Sequence, residues 1–211
     1  PLTVIKGTLE VLIRKPRDNE EYKEKINFCI SEVDRLNILV DQLLLLARFE
    51  NKVQDLKTEK VYLNALILDT ISRHSNTIQS KKIHLSTKFQ NDYCLNTDPY
   101  LLTIIFNNLI SNALKYSKQD GKLDIIVTDI INGIECQITD YGVGISSEDI
   151  QKIFDPFFRS HAELHPEIKG IGLGLSIVKK ISLLLDIPIS VSSKLNEGTV
   201  VKLIFHKKTS N

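Results

Sequence analysis

Residues Leu101–Ser117, with the sequence LLTIIFNNLISNALKYS, are the part of the chain from which the rest is interpreted. Apolar residues recur there every three or four positions and predict a helix with one buried face: Leu102, Ile105, Leu109 and Ala113. At the same spacing a second face carries two amides, an ammonium and a phenol: Asn108, Asn112, Lys115 and Tyr116. These groups suit a hard cation, a phosphate and a sugar or base edge. Taken alone, the pattern is better explained by an amphipathic helix with a solvated polar face.

Two glycine clusters further along the chain change that interpretation. The first, Asp140-Tyr-Gly-Val-Gly144, directly follows an alternating apolar run, and the second, Gly170-Ile-Gly-Leu-Gly174-Leu175, opens an apolar helix. Glycine lets a backbone approach a phosphate closely, and a helix N-terminus offers N–H donors. The second cluster lacks the preceding strand and the later acidic residue of a Rossmann site. Between the clusters lies a phenylalanine-rich segment, IFDPFFR, at Ile153–Arg159.

The four segments, in this order, resemble the asparagine, first glycine, phenylalanine and second glycine boxes of the sensor histidine kinases. The resemblance covers nearly the whole chain, because the N-terminal part is similar to the family's dimerisation and phosphoacceptor hairpin. It implies an ATP-binding α/β sandwich of the Bergerat type. It also implies the kinase core of a two-component system, in which the γ-phosphoryl group of Mg·ATP passes to a histidine and then to an aspartate on a response regulator receiver domain.

The resemblance further implies roles for residues that match the family's motifs. Asn112, beside Asn108, would hold Mg²⁺ against the phosphates, and Asn112 and Lys115 would be the catalytic pair. Lys115 and Tyr116 would contact phosphate and ribose. Asp140 would accept a hydrogen bond from the adenine amino group. Gly142 and Gly144 would shape the base pocket. Gly170, Gly172 and Gly174, with Leu175, would close a lid over the phosphates.

Other positions carry alternatives that the sequence leaves open. Phe154 is interpreted as a hydrophobic latch of the lid, although phenylalanine is more often a core residue. Either Arg159 or Lys169 would reach the γ-phosphate while the other faces solvent. Thr199 is a candidate for a water-mediated bond to the base, or simply a strand residue. Tyr141 departs from the family, which usually has asparagine there, and this puts the local hydrogen bonding in doubt.

The first 53 residues predict a helical hairpin that ends at the polar segment Glu50–Thr58. Two apolar helices are separated by Lys15-Pro16-Arg17, and the second keeps an a/d pattern: Ile26, Cys29, Val33, Leu36, Val40, Leu43 and Ala47. Since one hairpin cannot bury this much apolar surface, we expect a homodimer in which two hairpins form a four-helix bundle. Packing against the rest of the chain is the alternative.

Residues 59–211 predict an ATP-binding domain of the α+β class, with helices on one face of a mixed, largely antiparallel sheet. A helix is expected over Leu63–Ser80, and a strand over Ile83–Phe89 with Tyr93–Asn96 as its candidate partner. Asn132-Gly133 predicts a two-residue turn between two further strands.

Composition excludes several classes of partner and site. The 211 residues carry 27 basic and 26 acidic side chains, so their net charge of +1 does not favour nucleic acid as a partner. Three widely spaced cysteines suit reduced thiols rather than a disulfide framework or a zinc site. No apolar run approaches the roughly 20 residues of a membrane span. We therefore expect membrane contact only through segments absent from this chain, and a location on the cytoplasmic side.

The family's phosphoacceptor histidine lies five residues before a proline, within a His-Glu-x-x-Thr/Asn-Pro-Leu pattern. Because Pro1-Leu2 matches the end of this pattern, we expect the acceptor to precede Pro1. The chain is then expected to bind Mg·ATP without phosphorylating itself. The alternatives to a kinase core are a Bergerat-type ATPase and a non-catalytic, nucleotide-sensing dimer module.

Overall fold

The computed structural model describes residues 2–50, 56–160 and 170–206. The chain divides into two compact units, Pro1–Val53 and Gln54–Asn211. The first unit is a helical hairpin formed by α1 (Leu2–Ile13) and α2 (Asn19–Glu50). Asp18 caps α2, because its Oδ1 accepts the backbone N–H of Glu21 at 2.7 Å. The hairpin predicted from the apolar pattern is therefore confirmed.

The hairpin buries few of its apolar side chains. Leu12, Cys29 and Leu45 are buried. Large apolar side chains on both helices remain exposed: Leu2, Val4, Leu9, Val11, Ile13, Ile26, Phe28, Ile30, Val33, Ile38, Val40, Leu43 and Leu44. A groove of about 700 Å³ lies along the hairpin between residues of α1 and residues of α2. The single hairpin thus leaves most of its apolar stripe in contact with solvent.

The second unit alternates helices and strands around two sheets. Its elements are β1 (Glu59–Tyr62), α3 (Leu63–Arg73), α4 (Ser75–Ser80), β2 (His84–Phe89), β3 (Cys94–Thr97), α5 (Pro99–Tyr116), β4 (Lys122–Ile130), β5 (Gly133–Asp140), α6 (Gly174–Leu184), β6 (Ile189–Lys194) and β7 (Gly198–His206). The main sheet has the order β2-β4-β5-β7-β6, and β1 pairs with β3 in a separate two-stranded sheet. Only the β2–β4 pair of the main sheet is parallel. The predicted mixed, largely antiparallel sheet is confirmed.

Helix α5 occupies the centre of this unit. It contacts α3, α6 and β5. Its start is fixed by Asp98, whose Oδ1 accepts the N–H of Leu101 at 3.1 Å and whose Oδ2 accepts the N–H of Lys57 at 3.0 Å. Its apolar face is almost completely buried: Leu101, Leu102, Ile105, Phe106, Leu109, Ile110, Ala113 and Leu114. Burial of this face holds the polar face of the same helix in a fixed position.

Two sequence predictions for this unit were wrong. Cys94–Thr97 pairs with β1 rather than with the strand at 83–89, and β2 pairs with β4 instead. The reason is that buried Tyr93 holds the start of α3, since its carbonyl accepts the N–H of Leu63 at 2.9 Å. The helix expected over 63–80 is divided at His74, which has φ −101° and ψ 10°. The surrounding Ser, Asn and Thr residues are weak helix formers and allow this break.

In the part of the chain that the structure describes, no helix combines the length and the apolar character needed to cross a membrane.

Candidate functional site

A narrow cavity of about 60 Å³ lies between the polar face of α5 and the adjoining ends of β5 and β7. Ten residues line it: Leu109, Asn112, Ala113, Tyr116, Ile138, Asp140, Leu175, Val191, Thr199 and Val201. Five of the residues selected from the sequence are among them: Asn112, Tyr116, Asp140, Leu175 and Thr199. The fold therefore brings together polar groups that are far apart along the chain.

Asp140, the last residue of β5, is the buried carboxylate of this cavity. Asp140 is only 7% exposed. Burial raises the pKa of the Asp140 carboxyl to about 6, and the backbone N–H groups of Gly142 and Thr199 act in the opposite direction. The Gly142 N–H donates to Oδ1 at 3.0 Å. At neutral pH the cavity thus contains a buried, ionised acceptor that suits an amino donor.

The first glycine cluster lies against the backbone of two other elements. A Cβ atom at Gly142 would lie 2.1 Å from the carbonyl oxygen of Tyr116, at the end of α5. At Gly144, where φ is +68°, a Cβ atom would lie 2.0 Å from the carbonyl oxygen of Lys194. These glycines do not line the cavity. They allow the turn after Asp140 to pack directly on its neighbours, and so they set the position of the carboxylate.

The second glycine cluster lies against α5 at Gly174, next to Asn108. Asn108 donates through Nδ2 to the Ile104 carbonyl at 2.8 Å, and a Cβ atom at Gly174 would lie 2.8 Å from its Oδ1. The amide oxygen of Asn108 therefore faces the first turn of α6 and is not part of the cavity wall. Gly172, with φ +82°, accepts the N–H of Phe157 at 2.9 Å, whereas Gly170 has open space around it.

Of four further predicted residues, three do not line the cavity and one lies outside the described residues. Lys115 is exposed on α5. Phe154 is half-buried, and the Lys179 Nζ lies 5.5 Å from the centre of its ring. Arg159 is half-buried and does not line the cavity. Lys169 lies outside the described residues. The proposed phosphate contacts of Lys115, Arg159 and Lys169 and the proposed latch role of Phe154 remain predictions.

Tyr141, the residue after β5, contacts two side chains of β4. Its hydroxyl donates to Asp124 Oδ2 at 2.8 Å, and Lys122 Nζ lies 2.7 Å from the same oxygen. The Lys122 ammonium also lies 5.1 Å from the centre of the Tyr141 ring. The tyrosine therefore fastens the first glycine turn to β4, while Asp140 keeps its own hydrogen bonds.

The apolar wall of the cavity and one polar residue beside it were not identified from the sequence. Four of the missed apolar residues lie one helical turn or two strand positions from residues that were selected: Leu109, Ala113, Ile138 and Val201. The fifth, Val191 of β6, is the cross-strand partner of Val201. The polar residue is Ser193, which hydrogen-bonds Ile145, Gly198 and Thr199. No motif marks it, because its partners are set by strand register.

The residues of the cavity fit a nucleotide with its metal ion in chemical type. Asn112 offers an amide oxygen of the kind that Mg²⁺ accepts, and Asp140 offers a buried acceptor for an amine. Among the described residues there is no group of three or more His, Cys, Asp or Glu side chains able to hold a metal ion. A magnesium ion would therefore need phosphate oxygens and water as its other ligands, which is the usual arrangement.

Two protein families match the chain. The family described as Histidine kinase-, DNA gyrase B-, and HSP90-like ATPase matches residues 97–209, and the His Kinase A (phospho-acceptor) domain matches residues 1–52. The first match includes every wall residue of the cavity.

Several curated proteins and solved structures are similar to the chain. Sensor protein kinase GraS of Staphylococcus aureus (strain MRSA252) is 33% identical over 89% of this chain and 54% of its own length. The histidine-protein kinase ArlS of Staphylococcus haemolyticus is 32% identical over 97% of this chain and 45% of its own length. The chain thus spans about half the length of the curated relatives it matches. Histidine kinase ThkA, solved in complex with response regulator protein TrrA, is 25% identical with a TM-score of 0.78, over 99% of this chain and 58% of that one.

Proposed function

Since this chain belongs to the histidine kinase-, DNA gyrase B- and HSP90-like ATPases and, within them, to the sensor histidine kinases, we propose that it is the kinase core of a two-component system. It binds Mg·ATP, and the γ-phosphoryl group passes to a histidine and then to an aspartate of a response regulator. The observation that carries this proposal is the single cavity in which Asn112 and Tyr116 of α5 meet the buried carboxylate of Asp140.

Each residue contributes a separate part of nucleotide binding. The Asp140 carboxylate accepts the amino group of the base, while Thr199 contacts the base through water. Asn112 holds the magnesium ion through its amide oxygen. Tyr116 contacts the ribose, and Asn108 supports the metal side of the site. When bound, Mg·ATP supplies the phosphoryl group and a cation that neutralises phosphate charge.

Cationic side chains and the glycine segment complete the site on the phosphate side. Lys115 and either Arg159 or Lys169 approach the phosphates as cationic clamps. The segment from Gly170 to Leu175 closes over the phosphates, and Phe154 acts as its latch against the domain. The Gly172 carbonyl accepts the Phe157 N–H at 2.9 Å, which anchors the middle of this segment.

Binding of a base requires the cavity to widen. Its volume of about 60 Å³ is well below the roughly 300–1,000 Å³ of pockets that hold small molecules. Leu175 is the wall residue next to the glycine cluster, so we infer that this side of the cavity moves when a nucleotide enters.

Calorimetric titration with Mg·ATP tests the nucleotide site. Asn112→Ala should abolish the dependence of ATP binding on magnesium. Asp140→Asn should weaken ATP binding about 10–100-fold, because a buried charge-assisted hydrogen bond is worth roughly 1.5–3 kcal/mol. Asn107→Ala and Asp120→Asn provide matched controls, since both residues are exposed and neither lines the cavity. Unchanged binding by the first two variants would refute the assignment of the site.

Transfer of the phosphoryl group is tested separately, with ATP labelled at the γ-phosphate. A hairpin that carries the family's phosphoacceptor histidine serves as the substrate. Acid-labile, base-stable label on that hairpin supports the kinase. Release of free phosphate without any phosphoprotein supports a Bergerat-type ATPase, and binding without turnover supports a nucleotide-sensing module.

The partners follow from the hairpin. Its exposed apolar stripe and the groove of about 700 Å³ suit a second copy of the chain, which gives a four-helix bundle in a homodimer. A response regulator receiver domain is the other partner, as in the complex of ThkA with the response regulator protein TrrA. Because ATP is the substrate, the chain works on the cytoplasmic side, and any membrane contact is made by other segments.

A further inference from the structure

Ser193, on the edge strand β6, is the centre of a hydrogen-bond group that lies directly behind the cavity wall. Its Oγ accepts the backbone N–H of Ile145 at 2.9 Å. The same Oγ lies 2.7 Å from the carbonyl oxygen of Gly198 and 2.9 Å from Oγ1 of Thr199. One side chain thus joins three pieces of backbone: the loop after the first glycine cluster, the start of β7, and β6 itself.

The number of protons in this group fixes the direction of each hydrogen bond. A serine hydroxyl has one proton, and the Gly198 carbonyl can only accept. The Ser193 proton is therefore directed to Gly198. The bond between the two hydroxyls must then be donated by Thr199, so the Thr199 proton points to Ser193. The lone pairs of Thr199 Oγ1 remain available to the cavity that this residue lines.

The Gly198 carbonyl is held firmly enough to impose this arrangement. Gly198 has φ +113°, and a Cβ atom there would lie 2.0 Å from the carbonyl oxygen of Asp140. Only glycine fits this conformation and this close approach. Ser193 and Thr199 are also direct cross-strand partners in the antiparallel β6–β7 pair. Strand register therefore holds Gly198 and Thr199 in place beside Ser193.

The arrangement determines what the cavity offers to a ligand. Asp140 and Thr199 are cross-strand partners in the β5–β7 pair, and both line the cavity. The Asp140 carboxylate is an acceptor, and Thr199 has already committed its proton. This end of the cavity consequently presents acceptors side by side. The 6-amino group of adenine can donate to them, to Asp140 directly and to Thr199 directly or through the bridging water, whereas the 6-carbonyl of guanine would face lone pairs without a donor.

We propose that Ser193 is a positioning residue that turns the Thr199 hydroxyl into an acceptor and so helps the site choose a purine with a 6-amino group over one with a 6-carbonyl. The inference rests on the proposed nucleotide site. In the Ser193→Ala variant the Thr199 hydroxyl gains the freedom to rotate and to donate to a carbonyl. The ratio of ATP affinity to GTP affinity should then fall about 3–10-fold, the value of one neutral hydrogen bond.

The test measures ATP and GTP dissociation constants for the whole 211-residue chain by calorimetry at pH 8, where Asp140 is ionised. Ser193→Thr retains a hydroxyl and should keep the wild-type ratio. Ser192→Ala is the matched control, because Ser192 is the exposed neighbour on β6. Thr199→Val removes the hydroxyl through which Ser193 acts, so adding Ser193→Ala to it should change the ratio no further. If Ser193→Ala does not fold, Ser193→Cys, with its weak hydrogen-bonding thiol, takes its place.

The outcomes separate this inference from the function on which it rests. A lower ratio in Ser193→Ala, with the ratio kept in Ser193→Thr, supports the inference. Selective ATP binding by the unchanged chain, with the same ratio in Ser193→Ala, overturns the inference alone. Equal losses for both nucleotides also overturn it, since they indicate a structural role through Ile145. Equal affinity of the unchanged chain for ATP and GTP overturns the acceptor arrangement, and no binding of either nucleotide overturns the proposed function together with the inference.

Discussion

Asp140 links folding to the protonation state of the proposed nucleotide site through its buried charge. Burial raises the pKa of its carboxyl from the ordinary value of 3.8 to about 6. Between these values the folded protein binds more protons than the unfolded chain, so the contribution of this group to stability is complete below about pH 4 and is lost as pH rises through about 6. The binding site thus places its acceptor where ionisation destabilises the empty domain.

The effect of this charge on stability is measurable as a difference between two proteins. The free energy of unfolding of the wild type, minus that of Asp140→Asn, should decrease by about 2–3 kcal/mol between about pH 4 and pH 7, because most of the altered pKa is expressed over this range. Urea unfolding at a series of pH values gives this difference and removes the contributions of other carboxylates. A difference that stays constant across the range would contradict the assignment of a raised pKa to Asp140.

Gly142 is the residue at which steric fit can be tested most directly. In Gly142→Ala the new methyl group would lie 2.1 Å from the Tyr116 carbonyl oxygen, so the turn or the end of α5 must shift. We expect a loss of about 1–3 kcal/mol in stability. Gly170→Ala is the matched control, with no atom within 4 Å of the added carbon and an expected change within about 0.5 kcal/mol. Thermal unfolding of the two variants compares them, and equal melting temperatures would argue against the close backbone contact.

Helix α5 is stabilised at its C-terminal end by a lysine from another element. Lys81, which follows α4, donates through Nζ to the backbone carbonyls of Leu114 at 2.8 Å, Lys115 at 2.9 Å and Ser117 at 3.1 Å. The last carbonyls of a helix lack partners within the helix, and a cation is favourable at this end. Burial lowers the pKa of the Lys81 ammonium, because loss of solvent at this position disfavours the charged form.

Lys81→Met keeps the aliphatic stem and removes the ammonium. Its three carbonyl partners lose their donor, and we expect stability to fall by about 1–2 kcal/mol. Because Asn112 and Tyr116 lie in the last turns of the same helix, ATP affinity should fall as well. Lys82→Met is the control, since Lys82 is the exposed neighbour. Chemical unfolding and nucleotide titration measure the two effects, and an ATP affinity equal to that of the control would show that the cap does not position the site.

Elements that carry their own apolar periodicity were predicted correctly from the sequence. Features that depend on contacts between distant residues were not. The apolar spacing of residues 101–117 predicted α5. Asn132-Gly133 predicted a two-residue turn between β4 and β5, but its position was wrong by one residue, because Ile130 pairs with Gly133 and the turn is Ile131-Asn132. The partner of β3 was missed because strands of four residues pair according to the surrounding fold. Asp140 was selected because a glycine motif follows it. Ser193 was missed because its partners are distant features of the fold: Thr199 is placed by strand register, and Ile145 lies in the loop after the first glycine cluster.

At the scale of the whole molecule, the exposed stripe of the hairpin predicts self-association. Val40 is 52% exposed in the single chain and occupies an a/d position of α2. A carboxylate introduced by Val40→Asp would be buried in the seam of a four-helix bundle, and it should convert the dimer to a monomer. Asn37→Asp adds the same charge at an exposed polar position of α2 and should leave the dimer intact. Light scattering measures the molar mass, and a wild-type chain that is monomeric at high concentration would contradict the bundle.

The hydrogen bond from the Phe157 N–H to the Gly172 carbonyl, 2.9 Å long, has a consequence for insertions into the segment between these residues. It joins the two ends of the intervening segment independently of what lies between them. For a loop whose ends are already joined, the entropic cost of added residues grows only with the logarithm of its length, at about 0.6 kcal/mol for each doubling. An insertion between residues 157 and 172 should therefore change the free energy of unfolding little and leave the cavity as it is.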